Sequence, residues 1–189
     1  MTFKALLLEN QPAFSARVAD VDQASLPEGE VLIRVSHSTL NFKDALAIGN
    51  TSPIVRAWPM VAGIDAAGVV ESSASPDFRP GDAVVVNGWG QGETRWGGLG
   101  QYVRVPADWP VRLPAPYGSF EAAAVGTAGY TAAMCVQALE KHGIKPDDGP
   151  ILVTGATGGV GSIAALLLAR AGFQVLAVTG KAAEADYLR

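Results

Sequence analysis

The chain has 189 residues with a net charge of −4, and 49% of its residues are hydrophobic while 17% are charged. This balance predicts a folded globular protein and argues against a disordered chain and against a nucleic-acid partner, which would favour a basic surface. No apolar run reaches the roughly 18 residues of a membrane span, and the single cysteine, Cys135, excludes an intrachain disulfide, so we expect a cytoplasmic protein without a membrane partner.

The N-terminal part of the chain is predicted to be rich in strands. Five short segments carry apolar or β-branched residues, and Pro, Gly and Asp residues typical of turns separate them. Short strands separated by such turn residues are typical of a small, partly open barrel, and little helix is expected. The predicted strands are FKALLLE (3–9), EVLIRVS (30–36), AGVVES (67–72), DAVVV (82–86) and QYVRV (101–105).

The pattern changes to helices after Pro114. Ser119 can cap a short helix that runs through Val125, because a side-chain oxygen at that position accepts an otherwise unpaired N–H. The stretch GTAGYTA then interrupts the helix, and a second helix follows. Gly143 suits the left-handed position beyond its end.

A strand–helix–strand unit is predicted at the C-terminal end. ILVTG (151–155) and FQVLAVTG (173–180) are read as buried strands, and the helix between them starts near Gly158 and stops at Gly172. This order predicts parallel strands joined by a right-handed crossover. Two strands and one helix cannot cover a parallel sheet, so we expect either a piece of something longer or completion by a partner.

The turn between the first of these strands and the helix carries the glycine fingerprint Ala156-x-Gly158-x-x-Gly161. The small residues allow a tight turn, close approach of backbone N–H groups to a diphosphate, and close packing of helix on strand. The helix N-terminus further favours an anion. The alternative is a tight turn without a ligand. The candidate cofactor-binding residues here are Ala156, Thr157, Gly158, Gly159, Val160 and Gly161.

The end of the second strand indicates which dinucleotide is preferred. NAD-binding versions of this unit carry an acidic residue about 20 residues after the glycines, whereas a basic residue accommodates the 2′-phosphate of NADP. Lys181 occupies that position beside Thr179 and Gly180, and no carboxylate lies there. We therefore predict NADP(H), with these three residues near the 2′-phosphate. The alternative is that Lys181 is a solvated loop lysine and selectivity is weak.

Four further stretches, together with VTGATGGVGS, carry a family resemblance. They are LNFKDALA (40–47), RAWPMVAGIDAAG (56–68), GWGQGETRWGGLGQYVRV (88–105) and VGTAGYTAAMCVQALE (125–140). In order, and over essentially the whole chain, they resemble the zinc-free medium-chain dehydrogenase/reductase superfamily, within it the branch of acrylyl-CoA reductases and quinone oxidoreductases.

The resemblance implies an α/β fold in two domains. A GroES-like β-barrel domain would occupy residues 1–118, and the first part (βαβ) of a Rossmann NADP-binding domain would occupy residues 119–189, with the cofactor between the domains. The family also tends to dimerise through Rossmann edge strands, which implies a homodimer for the full-length protein.

The residues available for a metal site are too few. Zinc-dependent members of the superfamily carry Gly-His-Glu where this chain has Gly63-Ile64-Asp65, and the chain holds only two histidines, His37 and His142. Catalytic zinc needs about three protein ligands. We therefore predict no metal, and we interpret His37 as a structural histidine at a strand end.

The resemblance implies reduction of a carbon–carbon double bond conjugated to a carbonyl, with an acyl-CoA thioester as substrate. The candidate catalytic residues are Asn41, Asp44 and Thr127. Asn41 can orient nicotinamide or substrate without titrating, while Asp44 orients Asn41 or Lys43, or caps a helix. Thr127 resembles the residue that lines the nicotinamide pocket; alternatively it caps the following helix. The resemblance also implies a cofactor contact at Phe42, where the family usually has tyrosine and where a stacking contact would survive the change.

The candidate substrate-binding residues are Arg56, Trp89, Trp96 and Tyr130. Arg56 pairs with a CoA phosphate or with a local carboxylate, and the two tryptophans wall a substrate slot or pack in the core. The proton donor to the α-carbon is not identified by the sequence; Tyr130 is one candidate and water is the alternative. Two other functions stay open: reduction of quinones or small enones, and a catalytically silent fragment that acts as a binding module.

Overall fold

The computed structural model describes residues 1–188. The chain divides into two compact units, one comprising Met1–Thr127 and one that begins at Ala128. The boundary expected after residue 118 stays a prediction. The first unit ends at Thr127, whose hydroxyl and N–H both donate to Asp65.

Up to Arg112 the first unit consists mainly of short strands with little helix, as the sequence predicts. All five predicted strands are present, and three more strands accompany them. The elements are β1 (Thr2–Glu9), β2 (Ser15–Asp22), β3 (Val31–His37), α1 (Phe42–Ile48), β4 (Met60–Val61), β5 (Asp65–Ser73), β6 (Ala83–Asn87), β7 (Tyr102–Val105) and β8 (Val111–Arg112).

The strands form two antiparallel sheets within the described part of this unit. One has the order β2-β1-β4 and the other the order β7-β3-β5-β6-β8. Ala5 of β1 and Gly100 form a bridge between β1 and the segment before β7. Alternate β-branched side chains fill the core beneath the larger sheet, among them Val31, Ile33, Val84, Val86 and Val103.

Glycines hold the loop before β7 against the start of β5. A Cβ at Gly97 would collide with the Gly63 carbonyl oxygen, and a Cβ at Gly98 would collide with the Asp65 carbonyl oxygen. Only glycine permits this approach of two backbones. The loop is therefore packed directly on the strand end that carries Asp65.

The helix α2 (Ser119–Lys141) is interrupted where the sequence predicts an interruption. Gly126 has φ 50° and ψ −165°, which breaks the helical ladder. The expected cap at Ser119 is wrong, since the Ser119 hydroxyl accepts from the Ser36 hydroxyl and lies 3.0 Å from His37 Nδ1. The Gly118 N–H donates instead to the Glu121 carboxylate, so this carboxylate satisfies the start of the helix.

By length and composition alone, α2 is a candidate for crossing a membrane. This corrects the expectation that no segment of the chain is long and apolar enough. Core helices of globular proteins meet the same criterion, and the break at Gly126 lies within the helix.

The second unit contains the predicted strand–helix–strand arrangement. Strand β9 (Ile151–Thr154) and strand β10 (Val175–Val178) pair in parallel, and α3 (Gly159–Arg170) connects them. Val136, Leu168 and Phe173 form its buried cluster. The glycine at 143 and the glycine at 172 have φ of 85° and 90°, which confirms the helix stops expected from the sequence.

Candidate functional site

A buried carboxylate organises one polar cluster in the first unit. Asp65 opens β5, is 1% exposed, and lies opposite Asn87 in the β5–β6 register. Its Oδ1 accepts from Asn87 Nδ2 at 2.7 Å and from the Thr127 hydroxyl at 2.5 Å. Its Oδ2 accepts from Asn41 Nδ2 at 2.8 Å and from the Thr127 N–H at 3.0 Å. These four bonds satisfy a charge that would otherwise be very costly to bury.

Asp44 fixes Asn41 from the opposite side. Asn41 is the N-cap of α1, and the Asp44 carboxylate accepts its backbone N–H at 2.8 Å and its side-chain Nδ2 at 3.3 Å. The Ile64 N–H donates to the other Asp44 oxygen at 3.0 Å. Asp44 therefore both caps the helix and orients Asn41.

The protonation of Asp44 is shifted by its surroundings. Its side chain is 2% exposed, and this burial raises the pKa of the carboxyl above its ordinary value, to which the nearby charge of Asp65 adds. The bonds from the Asn41 and Ile64 N–H groups act in the opposite direction and are outweighed.

Thr127 reaches Asp65 because the helix is broken just before it. The extended ψ of Gly126 takes the Thr127 N–H out of the helical ladder, which allows it to donate to the carboxylate. A Cβ at Gly126 would lie 2.7 Å from the Thr39 methyl and 3.1 Å from Asp65 Oδ2. The glycine thus provides both the backbone turn and the space that the cluster needs.

Lys43 and Arg56 share one carboxylate. Lys43 Nζ and Arg56 Nη2 each lie 2.7 Å from a different oxygen of Glu93, and these two cations lower the pKa of that carboxyl. The Arg56 N–H also donates to the Glu93 carbonyl at 2.8 Å. Of the two partners considered for Arg56, the local carboxylate is the one it contacts. Asp44 does not orient Lys43.

The aromatic candidates differ in their surroundings. Trp89 is exposed and stacks on Trp109, with ring centroids 5.5 Å apart and an 8° angle between planes. Trp96 packs against two hydrophobic clusters and donates its indole N–H to the Pro59 carbonyl at 2.9 Å. Phe42, at the start of α1, is 81% exposed, and Tyr130 in the second unit is also exposed.

The glycine turn of the second unit is tight and leaves the start of α3 without a side-chain cap. The turn is closed by the Gly158 N–H donating to the Gly155 carbonyl at 2.8 Å, and Gly155 has φ 60°. Gly158 is the N-cap of α3 and carries no side chain to satisfy the first helical N–H groups. A Cβ at Gly161 would collide with Gly155, so helix and turn pack as closely as the fingerprint predicts.

Hydroxyl groups lie at the ends of both parallel strands. The Thr157 and Thr179 hydroxyl oxygens lie 3.0 Å apart, and the Lys181 N–H donates to the Thr179 hydroxyl at 3.1 Å. The exposed Lys181 Nζ lies 3.2 Å from Glu184, a pairing within one turn that contributes little stability. Ala156 is buried, and its N–H donates to the Val178 carbonyl at 3.0 Å.

A cavity of about 500 Å³ opens beside the glycine turn within the second unit. Apolar side chains of β9, α2 and α3 form most of its wall, and the glycines of the turn form one end. Within residues 1–188, no group of three or more His, Cys, Asp or Glu side chains is placed to hold a metal ion.

Comparison with known proteins gives the family. Residues 27–115 match the alcohol dehydrogenase GroES-like domain. The chain is 50% identical to acrylyl-CoA reductase AcuI of Ruegeria pomeroyi over 189 residues, covering 98% of this chain and 57% of that protein. It belongs to the medium-chain dehydrogenase/reductase superfamily. The α/β fold predicted from the sequence is therefore confirmed.

Solved structures of superfamily members are similar over the same range. The yhdH oxidoreductase of Salmonella enterica in complex with NADP is 49% identical with a TM-score of 0.95, covering 98% of this chain and 57% of that one. The Bacillus subtilis protein yhfP with NAD bound is 46% identical with a TM-score of 0.93, covering 100% and 57%. The chain thus spans a little over half the length of these superfamily members.

A more distant superfamily member carries a different name. Quinone oxidoreductase of Sus scrofa is 32% identical over 156 residues, covering 81% of this chain and 45% of that protein.

Sequence reasoning missed the two residues that organise the polar cluster. In the sequence, Asp65 stands out only where the chain departs from the zinc-ligand stretch of the superfamily, and no local pattern marks Asn87. A signal for Asp65 exists, because a carboxylate inside the apolar run VAGIDAAGVV must be buried and hence hydrogen-bonded. Its partners lie far along the chain, at Asn41, Asn87 and Thr127.

Proposed function

We propose that the protein catalyses NADPH-dependent reduction of the carbon–carbon double bond of an α,β-unsaturated acyl thioester such as acrylyl-CoA, by metal-free hydride transfer. The observation that carries the proposal is the glycine turn, whose uncapped helix start lies beside a strand end with hydroxyls and a lysine. The identity with acrylyl-CoA reductase AcuI supports the choice of substrate class.

The chain's residues fit a dinucleotide phosphate. Residues 156–161 would hold the diphosphate through backbone N–H groups, since Gly158, Gly159 and Gly161 carry no Cβ and Gly158 leaves the start of α3 uncapped. The 2′-phosphate would be held by Thr179, Gly180 and Lys181. Lys181 is exposed, and its weak ion pair with Glu184 would be replaced by an ion pair with the phosphate. When bound, the reduced nicotinamide supplies the hydride, and the protein orients the reactants and provides their electrostatic environment.

The polar cluster of the first unit would position the reacting groups. Asn41 and Thr127 are held by buried carboxylates, which removes their rotational freedom before any ligand arrives. Such preorganisation lowers the cost of bringing two reactants together. Phe42 would contribute an exposed ring for stacking at the same end of α1.

The surface side chains of the first unit would contact the thioester's nucleotide portion. Arg56 is exposed while paired with Glu93, so a phosphate would share the guanidinium with that carboxylate. Trp89 has an exposed indole that would contact the substrate. Trp96 packs against a hydrophobic cluster and would support the wall of the substrate slot. In the second unit, the exposed Tyr130 or a water would deliver the α-carbon proton. We also propose a cytoplasmic location and a homodimer.

Substrate turnover tests the proposal. NADPH oxidation is followed in the natural gene product that contains this chain, with acrylyl-CoA, crotonyl-CoA and a benzoquinone as separate substrates. Faster turnover of the thioesters supports the proposal. Faster turnover of the quinone supports the second candidate, a quinone reductase, which the identity with the pig enzyme favours. No turnover with any substrate would contradict both and leave a silent binding module.

A further inference from the structure

Lys43 and Arg56, here called the cation pair, share a carboxylate in a way that leaves positive charge over. Lys43 Nζ and Arg56 Nη2 each lie 2.7 Å from a different oxygen of Glu93. In the first unit, all of whose residues the structure describes, every other ion pair joins one cation to one carboxylate, so its charges cancel. Two positive charges on one negative charge give this cluster a net positive charge.

The carboxylate of this cluster is covered, whereas its cations are exposed. The Glu93 side chain is 18% exposed, while those of Lys43 and Arg56 are 47% and 62% exposed. The Arg56 backbone N–H also donates to the Glu93 carbonyl at 2.8 Å, which fixes the two chain segments to each other. The cation pair is therefore anchored from the protein side and accessible to a dissolved anion.

Both cations keep hydrogen-bond donors that the protein does not use. An ammonium has three N–H groups and a guanidinium has five. Among the described residues, the Lys43 and Arg56 side chains donate only to the two Glu93 oxygens. The unused part of the guanidinium fork matches the oxygens of a phosphate, which can be bound by two parallel N–H groups.

We propose that the cation pair, anchored on Glu93, is a phosphate-binding site that takes a phosphate group of the coenzyme A portion of the substrate. The inference rests on the proposed function, and it adds Lys43 to the residues that bind the thioester. One phosphate oxygen accepts from Lys43 while others accept from the Arg56 fork, and the net positive charge of the cluster offsets the charge of the phosphate.

The consequence is recognition of the group that carries the acyl chain. A quinone or a small enone has no phosphate, so the cation pair contributes nothing to its binding. A coenzyme A thioester gains charge-assisted hydrogen bonds far from its reacting carbons. Because the site is exposed, salt screens this contribution, and the KM for the thioester should rise with ionic strength.

Kinetics with two thioesters test the site. NADPH oxidation by the natural gene product that contains this chain is measured with acrylyl-CoA and with S-acrylyl-N-acetylcysteamine, which has the same reacting end and no phosphate. Arg56→Gln and Lys43→Gln should each raise the KM for acrylyl-CoA about fivefold, the loss expected for one exposed charged hydrogen bond. The kcat and the KM for the phosphate-free thioester should not change.

Arg34→Gln is the matched control for these variants. Arg34 pairs with Glu71 at 3.1 Å in the same unit, so its replacement makes the same change of charge, and both KM values should persist. Equal increases for the two thioesters in Arg56→Gln would mean that the cation pair only supports the fold, and would overturn the inference. An unchanged KM for acrylyl-CoA would overturn it as well.

The acrylyl thioester of 3′-dephospho-CoA identifies the phosphate that is bound. If Arg56→Gln still raises the KM for this substrate about fivefold, the cation pair binds the diphosphate. If the effect disappears, the cation pair binds the 3′-phosphate. Both results support a phosphate site.

A measurement without turnover separates the site from the proposed function. In ¹⁵N-labelled protein, the Arg56 Nε–H signal is followed during titration with adenosine 3′,5′-bisphosphate and, as the phosphate-free probe, with adenosine. We expect a saturable shift with the bisphosphate only, with about fivefold weaker binding in Lys43→Gln. If neither thioester is reduced, the proposed function is contradicted, and the saturable shift still supports the phosphate site. No shift of Arg56 with the bisphosphate would overturn the inference.

Discussion

Asp44 and Glu93 are two acidic residues whose surroundings shift their pKa values in opposite directions. Burial raises the pKa of the Asp44 carboxyl, whereas Lys43 and Arg56 lower that of Glu93. A proton is therefore held more tightly by folded than by unfolded Asp44, and the reverse holds for Glu93. The two carboxyls consequently give opposite slopes of stability against pH.

The change Asp44→Asn tests this assignment. The stability that Asp44 contributes is fully present below its ordinary pKa of 3.8 and is lost as pH rises through the higher folded value. Urea unfolding gives the free energy of unfolding of the unaltered protein and of the Asp44→Asn variant. The difference between the two, unaltered protein minus variant, should therefore fall as pH rises from 3.8 toward neutrality. For Glu93→Gln, the control, the contribution is present above the ordinary pKa of 4.5 and is lost as pH falls through the lower folded value, so the same difference should rise with pH up to about 4.5 and stay level above it. Slopes of the same sign would contradict these pKa shifts.

Lys181 is the residue on which the choice of dinucleotide depends. Lys181→Asp should weaken NADPH binding tenfold or more, roughly the worth of a charged hydrogen bond, and should change NADH binding far less. The measurement is a fluorescence titration with each reduced dinucleotide. Lys141→Asp makes the same change of charge at an exposed helix end, where Lys141 contacts Gln137, and should leave both affinities unchanged. Equal losses for NADPH and NADH in Lys181→Asp would refute the assignment.

The sequence identified individual site residues more reliably than it identified the residues to which they are hydrogen-bonded. Asn41 and Asp44 are close in the chain, so a pairing between them was predictable from helical spacing, and it is observed. The bonds to Asp65 join residues 24 and 62 positions apart, a separation that no local pattern encodes. The cluster therefore depends on a tertiary arrangement that only the folded chain reveals.

At the scale of elements, the break in α2 determines where Thr127 lies. Gly126→Ala should destabilise the protein by about 3 kcal/mol, because strain at a positive φ is joined by overpacking against Thr39 and Asp65. Gly143→Ala is the control, since it has φ 85° with open space around it, and should cost only about 1 kcal/mol. Chemical unfolding measures both. Equal costs would mean that the space at Gly126 does not matter.

The glycine turn gives a second prediction at this scale. Gly161→Ala places a Cβ against the Gly155 carbonyl, so helix α3 must move away from the turn. We expect a loss of about 2 kcal/mol in stability, as for other overpacked sites. Gly180→Ala has no atom within 4 Å of the new Cβ and should cost less than about 0.5 kcal/mol. A Gly161→Ala protein as stable as the Gly180→Ala protein would contradict the close packing.

Elements with strong patterns were predictable, and short or exposed ones were not. The five predicted strands carry consecutive apolar residues. In contrast, β4 and β8 have two residues each, and β2 reads SARVADVD with mostly exposed side chains. Such segments become strands because their backbones pair with the edge of a neighbouring strand, as β2 pairs with β1 over eight residue pairs. The Ser119 cap failed for a related reason, since tertiary partners took its hydroxyl.

At the scale of the whole molecule, the order of the two kinds of structure was predictable. Turn residues mark the strand-rich part, and the change to helical periodicity marks the C-terminal part. In the described part of the chain, the second unit pairs two parallel strands and leaves Leu152, Leu176 and Val178 exposed. Parallel sheets normally bury both faces, so the expectation from the sequence that more structure completes this sheet stays a prediction.

Calorimetric titration of the chain with NADPH and with NADH tests the central claim most directly. If the turn at 156–161 holds the diphosphate and Lys181 the 2′-phosphate, NADPH should give saturable heat and bind about tenfold more tightly than NADH. Heat from neither dinucleotide, or tighter binding of NADH, would contradict the account.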